Sequence, residues 1–546
     1  MILFKYQRYF LSVLSGFLLI LSFPFTGSFF YLGFFAWVPL LLVESSILER
    51  KYRSGKVFLH AYITFFIYNV GTTWWIYHAS PGGAFMAFIL NSFLMSCAFY
   101  LYHLCRKKLN RKFSLFYLIV IWIGFEFLHY HWELSWPWLT LGNIFSVAPQ
   151  IIQWYEYTGV LGGSVWLLLV NYFIFQLAID IKVHSASFKS LLFSKIASIV
   201  GLIFIPILIS LYLYLSYEEV INPVEVAIVQ PNIDPYNEKF VTNSEDQVEK
   251  MIKKSESIIT SKTKFVLFPE TAISSSVQEN YIDNNSSIEL IRNFLTKKPS
   301  IHVLTGAATF SIFRKKFTNS ARQIPNSKEF IEFYNSSIAI DRTNLDIVHK
   351  SKLVLGVEKV PFTSWLPFLE ELSINNGGTS GTLGQEVVPK IVSSQNGKYA
   401  PVVCYESIYG EFVGQQVRKG AEIIFIITND GWWKDTPGYK QHNSFASIRA
   451  IENRRAIARC ANTGTSSFIN QRGEVLKKTS WWVEDGIKEN LNKNTSITLY
   501  SQFGDIVYRI MSFVTIALFL CVVAIIPIIP IIRFSGNKKG FLGKPY

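Results

Sequence analysis

The sequence predicts two architectures in one chain: a multi-pass α-helical membrane domain of about eight transmembrane helices, and a globular domain of layered αββα type outside the membrane. Three observations predict this. Half of the 546 residues are hydrophobic and only 16% are charged, against roughly 25% charged in average soluble proteins. Apolar runs fill residues 9–217 and return near 508–532, and a run of roughly 20 helical residues crosses a bilayer core. Between them, residues 218–507 alternate short apolar strands with amphipathic stretches, which is the pattern of an α/β or layered domain. The expected division is therefore 1–217, 218–507 and 508–546.

Seven spans are expected in the first block, at about 9–24, 30–48, 57–79, 83–105, 113–130, 159–180 and 195–217, with the eighth near 508–532. The first lacks a small-residue cleavage site and runs straight into further apolar spans, so it reads as a retained helix rather than a signal peptide. The loops alternate in charge. Lys5 and Arg8 precede the first span; Arg50, Lys51, Arg53 and Lys56 follow the second; Arg106, Lys107, Lys108, Arg111 and Lys112 follow the fourth. Lys182 and Lys189 follow the sixth, and Arg533, Lys538, Lys539 and Lys544 follow the eighth. The loops near 25–29, 80–82 and 131–158 hold no Lys or Arg. Positive-inside bias then places both termini in the cytoplasm and 218–507 on the outer side.

The net charge of +14 is thus mainly a topology signal, helped by anionic lipid of the bilayer. No helix or sheet motif for reading bases accompanies it, so no nucleic acid partner is expected. So apolar a chain is not disordered. Five cysteines in 546 residues make no disulfide framework, and no His/Cys cluster has zinc spacing, so no metal is expected. The loop 131–158 carries Trp132, Trp136, Trp138 and Trp154. These rings suit an interfacial anchoring belt, or an arm on the membrane that helps form a lipid entrance.

In the globular domain the expected elements are strand 224–232, helix 243–260, strand 264–270, helix 286–297 and strands 302–309 and 334–341. Strands 400–406 and 422–430, helix 442–458 and strand 466–473 follow. The polar stretches 310–333 and 362–398 lack periodicity and read as loops.

Three residues carry chemistry. Glu270 ends the apolar strand in FVLFPE, Cys404 ends another in PVVCYE with Tyr405 and Glu406 directly after it, and Lys350 lies eight residues before Glu358 in HKSKLVLGVEKVPF. A cysteine reacts as thiolate and needs a base or a cation beside it. A carboxylate can take its proton, and a lysine can steady an oxyanion. Taken singly, each has a plainer reading as a packed or solvated side chain. Cys460 is expected to be buried behind the predicted helix, and Cys97, Cys105 and Cys521 lie in spans.

The ordered set VQPNID, FVLFPETA, YNSS, HKSKL, VVCYES and IITNDGWW resembles the nitrilase superfamily, whose Glu-Lys-Cys triad falls on Glu270, Lys350 and Cys404. WPWLTLG at 136–142, PQIIQWYEYTGVLGGS at 149–164 and Asn171 resemble the apolipoprotein N-acyltransferase family. This resemblance runs from about residue 10 to 530. It implies a nitrilase-like αββα domain in the periplasm, carried by a multi-pass protein of the bacterial inner membrane. The implied reaction moves an acyl chain from a membrane glycerophospholipid to the α-amine of an S-diacylglyceryl cysteine on an apolipoprotein. It would proceed through a thioester on Cys404, with no cofactor. Asn335, Glu358, Tyr405 and Glu406 match positions expected to support the triad. Asn429, Trp432, Gln441, His442, Arg449, Glu452 and Asn462 match the stretch after the nucleophile and are read as structural, with Arg449 and Glu452 pairing on one helix. The chain departs from the family at Leu355-Gly356-Val357-Glu358 and at Phe240, where a tryptophan is expected. Lys352 competes with Lys350, and the eight-residue spacing to Glu358 favours Lys350. The alternatives are a membrane-tethered nitrilase-type amidase, which leaves seven spans unexplained, and a non-enzymatic lipid-binding or transport protein. The intact triad and the few ionisable residues in the spans oppose the second.

Overall fold

The computed structural model describes residues 3–183, 189–363, 365, 368 and 381–536. Part of the expected loop 362–398, together with Lys538, Lys539 and Lys544, lies outside the described residues. Among those described, six helices are long and apolar enough to cross a membrane: Phe30–Glu49, Pro81–Lys108, Arg111–His131, Val160–Ile181, Leu192–Ser216 and Ile506–Ala524. The other two expected spans are also helical, as Lys5–Ser22 and Gly55–Thr73, but fall outside that set. Their polarity has a structural reason. The two helices pack on each other through small and polar groups, with Ser12 Oγ 3.0 Å from His60 Nδ1 and Thr64 Oγ1 donating to the Ser12 carbonyl at 2.8 Å. The C-terminal helix Ile506–Gly536 returns to the first block, where Thr515 Oγ1 donates to the Val120 carbonyl at 2.8 Å.

Residues 223–492 form two β-sheets packed face to face. In the first, Pro223–Gln230 runs parallel to Thr263–Leu267 and antiparallel to Asp485–Asn492, and the sheet continues through His302–Phe313 and Phe330–Ile340. In the second, Gly397–Val403, Ile423–Thr428 and Ile457–Ala461 are parallel neighbours. Side chains alternate between faces along a strand. Accordingly Ile423, Phe425 and Ile427 join Val226, Ile228, Phe265 and Leu267 between the sheets, while Ile424 and Ile426 face outward. Helices Ser244–Ile258 and Ser286–Lys297 cover the first sheet with Val248, Met251, Ile288 and Ile291, apolar residues at the i, i+3 spacing that makes one helix face. Helices Gly410–Arg418 and Pro437–Asn453 cover the second. Their apolar cluster does not stop at the domain edge. Phe445, Ile448 and Ile451 share it with Trp138, Phe145 and Trp166 of the membrane block.

Several expected boundaries change. The expected helix 442–458 is Pro437–Asn453, opened by Thr436 as cap with Pro437 in the first turn and closed by Arg454 at φ +47°, since proline suits a helix start. Residues 457–461 are instead strand, held by parallel pairing to Ile423–Thr428, so Cys460 lies on a strand. The expected loop 310–333 is shortened, because His302–Phe313 and Phe330–Ile340 form a long antiparallel pair whose ladder extends past the apolar residues.

Candidate active site

Strand Gly397–Val403 delivers Cys404 to the start of a short 3-10 turn, Cys404–Ile408, rather than ending on it. Cys404 has φ +52°, a left-handed conformation that costs a Cβ-bearing residue about 1–3 kcal/mol and persists only where neighbours hold it. They do. Ser407 Oγ donates to the Cys404 carbonyl at 2.7 Å, and His442 Nε2 lies 3.2 Å from the same oxygen and 2.9 Å from Ser407 Oγ. Behind His442, its Nδ1 is 3.0 Å from Asp430 Oδ1, and Arg459 donates to Asp430 Oδ2 at 2.6 Å. Burial alone would raise the Asp430 carboxyl, but Arg459 and His442 hold it at about 2. The ionised aspartate orients the imidazole, and the imidazole braces the turn.

Glu270 sits three residues beyond its strand, which ends at Leu267, and not on the strand end that the sequence predicts. Its loop is pressed against strand His302–Phe313. A Cβ at Gly306 would lie 2.6 Å from Glu270 Cα and 2.4 Å from Thr271 N, so only glycine allows this approach. Lys350 follows strand Leu345–His349 and is almost wholly buried. Lys350 Nζ donates to Glu270 Oε1 at 3.0 Å and to Glu358 Oε1 at 2.9 Å. Asn335 Nδ2 donates to the same two oxygens, at 2.8 Å each. One ammonium and one amide thus bridge two carboxylates, and Lys350, not Lys352, is the lysine at Glu270.

The electrostatics follow from that bridge. Burial would raise the Glu270 carboxyl, but Lys350 and the Asn335 hydrogen bond bring it below the ordinary carboxylate value. Burial would lower the Lys350 ammonium, but Glu270 and Glu358 hold it well above the usual lysine range. Burial pushes the Cys404 thiol far up, and Glu270 adds to this while Lys350 opposes it. The resting site is therefore a neutral thiol beside an ionised carboxylate and a cation, fit for proton transfer during attack rather than before it.

Glu406 is a brace. Its Oε2 accepts from the Val403 N–H at 2.7 Å, and its Oε1 accepts from the Ser351 N–H at 2.5 Å and the Lys352 N–H at 3.3 Å. It ties the lysine loop to the strand that leads to Cys404, and burial pushes its carboxyl up to about 7. Tyr405 faces the membrane block, its ring stacked 6.3 Å from Trp136 and its hydroxyl donating to the Ser135 carbonyl at 3.3 Å. Lys239 escaped the sequence reading, as did Ser407, Asp430 and Arg459 around the Cys404 turn. Lys239 is buried and donates to the Glu270 carbonyl at 2.8 Å, and burial lowers its ammonium to about 8 against the pull of Glu270. It lies in a polar loop, where a lone lysine carries no sequence signal.

The tryptophan-rich segment is not an anchoring belt throughout. Trp138 is buried, and its Nε1 donates to Gln441 Oε1 at 2.8 Å. The Gln441 amide donates in turn to the carbonyls of Pro24 at 3.0 Å and Thr72 at 3.3 Å. Arg449 and Glu452 do pair, at 2.8 Å, yet each also reaches elsewhere: Arg449 donates to the Ile408 carbonyl at 2.6 Å, and Glu452 accepts from the Val160 N–H at 2.8 Å.

Residues 15–173 match the apolipoprotein N-acyltransferase N-terminal domain, and residues 225–499 match the carbon-nitrogen hydrolase family. The chain belongs to the carbon-nitrogen hydrolase family, in its apolipoprotein N-acyltransferase branch. It is similar to the apolipoprotein N-acyltransferase of Chlorobaculum tepidum, 29% identical over 512 residues, covering 92% of this chain and 94% of that one. The enzyme of that name from Geobacter metallireducens is 27% identical over 517 residues, covering 92% of each. That of Haemophilus ducreyi is 26% identical over 489 residues, covering 87% of this chain and 90% of the relative. The carbon-nitrogen hydrolase match contains Glu270, Lys350 and Cys404, and the N-terminal match contains Trp138.

Proposed function

We propose that this protein transfers an acyl chain from a membrane glycerophospholipid to the α-amine of an S-diacylglyceryl cysteine at the start of an apolipoprotein. The observation that carries the reading is the Glu270–Lys350 pair at 3.0 Å beside the strained Cys404 turn, built directly against a membrane block.

Glu270 takes the thiol proton as Cys404 Sγ attacks the ester carbonyl. Lys350 steadies the tetrahedral oxyanion. The intermediate collapses to a Cys404 thioester, and the proton on Glu270 passes to the departing lysophospholipid oxygen. In the second half-reaction Glu270 accepts a proton from the lipoprotein amine as the amine attacks the thioester. The amide forms, and Sγ leaves with a proton as the thiol. Asn335 and Glu358 hold Lys350 and Glu270 in register through both steps.

In this reading the chain divides at 1–217, 218–507 and 508–546 and crosses the bacterial inner membrane eight times. Both termini are cytoplasmic and the catalytic domain is periplasmic. The loop charges support that orientation, and Lys5–Ser22 and Gly55–Thr73 supply the two more polar spans.

Purified protein given phospholipid alone should release about one lysophospholipid per enzyme and stop as acyl-Cys404, seen by intact-protein mass. A diacylglyceryl peptide with a free amine should restart turnover, and its N-acetylated form should not. Continuous fatty-acid release without acceptor, or rapid cleavage of small soluble amides, would replace this reading with a hydrolase.

A further inference from the structure

A cavity of about 680 Å³ lies at the seam of the two blocks. Its walls are the end of the Arg111–His131 helix with the segment to Ser135, the lysine loop at Ser351–Leu353, the turn around Tyr409 and Phe412, and the foot of the C-terminal helix at Arg509. It adjoins the catalytic centre, since Ser351 and Lys352 directly follow Lys350 and Tyr409 closes the turn that Cys404 opens.

Four basic side chains line it: His131, Lys352, Lys359 and Arg509. Three face a carboxylate. His131 is 3.4 Å and Arg509 3.1 Å from Glu411, and Lys359 is 3.1 Å from Glu133. The remaining acidic groups are also engaged, Glu386 with Lys390 at 2.6 Å and Asp505 with the Tyr500 hydroxyl at 3.1 Å. Lys352 differs. Its ammonium lies 5.2 Å from the centre of the Tyr409 ring, with no carboxylate at ion-pair distance among the described residues. The aromatic face steadies a cation without neutralising it. The Lys352 main-chain N–H donates to the Glu406 carboxylate at 3.3 Å, which anchors the root of the side chain at the cavity wall.

We infer that this cavity receives the headgroup of the phospholipid acyl donor, with Lys352 recognising its phosphodiester. The assignment rests on the proposed function and deepens it by naming the donor's binding determinant. Two steps of backbone span at most about 7 Å, so Lys352 stands one short reach from Lys350. A phospholipid presents the same arrangement: its ester carbonyl and its phosphate are separated only by the glycerol unit. The acceptor is a poorer occupant, because it brings an amine that an unpaired ammonium repels. Burial lowers the Lys352 ammonium, with Glu406 and Glu411 opposing, and an arriving phosphate would reverse that shift.

The test uses full-length protein in detergent micelles and follows acylation of Cys404 by intact mass, with a diacyl phospholipid and with a long-chain p-nitrophenyl ester that has no phosphate. Lys352→Gln should raise the half-saturating phospholipid concentration about 10-fold or more, the scale of a lost charge-assisted hydrogen bond. It should leave the ester rate unchanged, and Lys352→Arg should restore most of the phospholipid affinity. Equal loss on both donors, or no loss on either, would overturn the assignment. So would inhibition of the wild type by millimolar inorganic phosphate that Lys352→Gln abolishes while the half-saturating phospholipid concentration stays unchanged, since the site would then take a free anion and not the donor. Wild-type protein acylated by the ester and never by phospholipid would sink the donor reading itself, and that outcome is visible before any variant is made.

Discussion

Two buried cysteines lie almost level in the same sheet. Cys460 is in register with Ile427, and Ile427 is in register with Val403, the residue before Cys404. Burial pushes both thiols far above the ordinary cysteine value. Their surroundings differ. Cys460 lies within a regular strand and its Sγ donates to the carbonyls of Val229 at 3.3 Å and Leu267 at 3.4 Å, across the sheet interface. Cys404 lies one residue past its strand end at φ +52°, within the fields of Glu270 and Lys350. Burial and chemistry of the residue are shared. What sets Cys404 apart is the step beyond the strand and the charges of Glu270 and Lys350 that meet it there.

The sharpest way to break this contrast is to remove each sulfur in turn. Cys404→Ala should abolish acyl-enzyme formation and turnover, whereas Cys460→Ala should keep activity within a few-fold of wild type. A dead Cys460→Ala protein that still folds would mean that both thiols belong to the reaction. Next in size, Lys350→Ala should lower the acylation rate by about 10²-fold or more, the scale for one oxyanion donor, with Lys352→Ala retaining the rate for a phosphate-free ester. His442→Ala should slow acylation by about 10-fold, because the Cys404 carbonyl would lose one of the groups that fix its turn; unchanged single-turnover kinetics would show the brace to be dispensable. The smallest effect concerns pH. The Cys404 thiol is raised, so its thiolate fraction is low at neutrality and grows as pH rises. Its alkylation by iodoacetamide should accelerate through pH 9 without a plateau below the ordinary thiol pKa of about 8.5. A plateau near pH 6 would instead show a resting thiolate.

The contrast also marks what a sequence can hold. Cys404 follows an apolar run and Cys460 follows Arg459 behind the predicted helix, and the order of the motifs around Glu270, Lys350 and Cys404 is what singles out Cys404 in the sequence. Strand Ile423–Thr428 was legible because a parallel strand buried on both faces reads as a continuous apolar run. Strands Ile273–Gln278 and Asp485–Asn492 were not, because ISSSVQ and DGIKENLN carry little apolar alternation and owe their form to pairing with His302–Phe313 and Pro223–Gln230. Asn335 and Glu358 could be matched by motif, but Lys239 could not, since its meaning arises only when its loop folds back on Glu270. Glu406 was expected near the nucleophile, and its task of binding the lysine loop is visible only in three dimensions. Trp138 read as a headgroup residue because composition cannot tell a wet interface from a dry one between two domains.

Gln441 and His442 are successive residues on one helix, and they belong to different halves of the molecule. The first is held by Trp138, Pro24 and Thr72; the second holds the carbonyl of Cys404. Glu452 and Arg454 extend the same attachment, to the Val160 N–H at 2.8 Å and to Glu156 at 2.7 Å. A fragment cut from this chain at 218 and 507 would therefore keep Glu270, Lys350 and Cys404 but leave the Pro437–Asn453 helix stripped of its partners. Buried amides and charges would be left bare, and the face of Phe445, Ile448 and Ile451 would stand open to water. Such a fragment should aggregate or bind chaperones. Co-expression of residues 1–217 as a separate chain should rescue its solubility, which makes the membrane helices a folding partner of the catalytic core as well as its address.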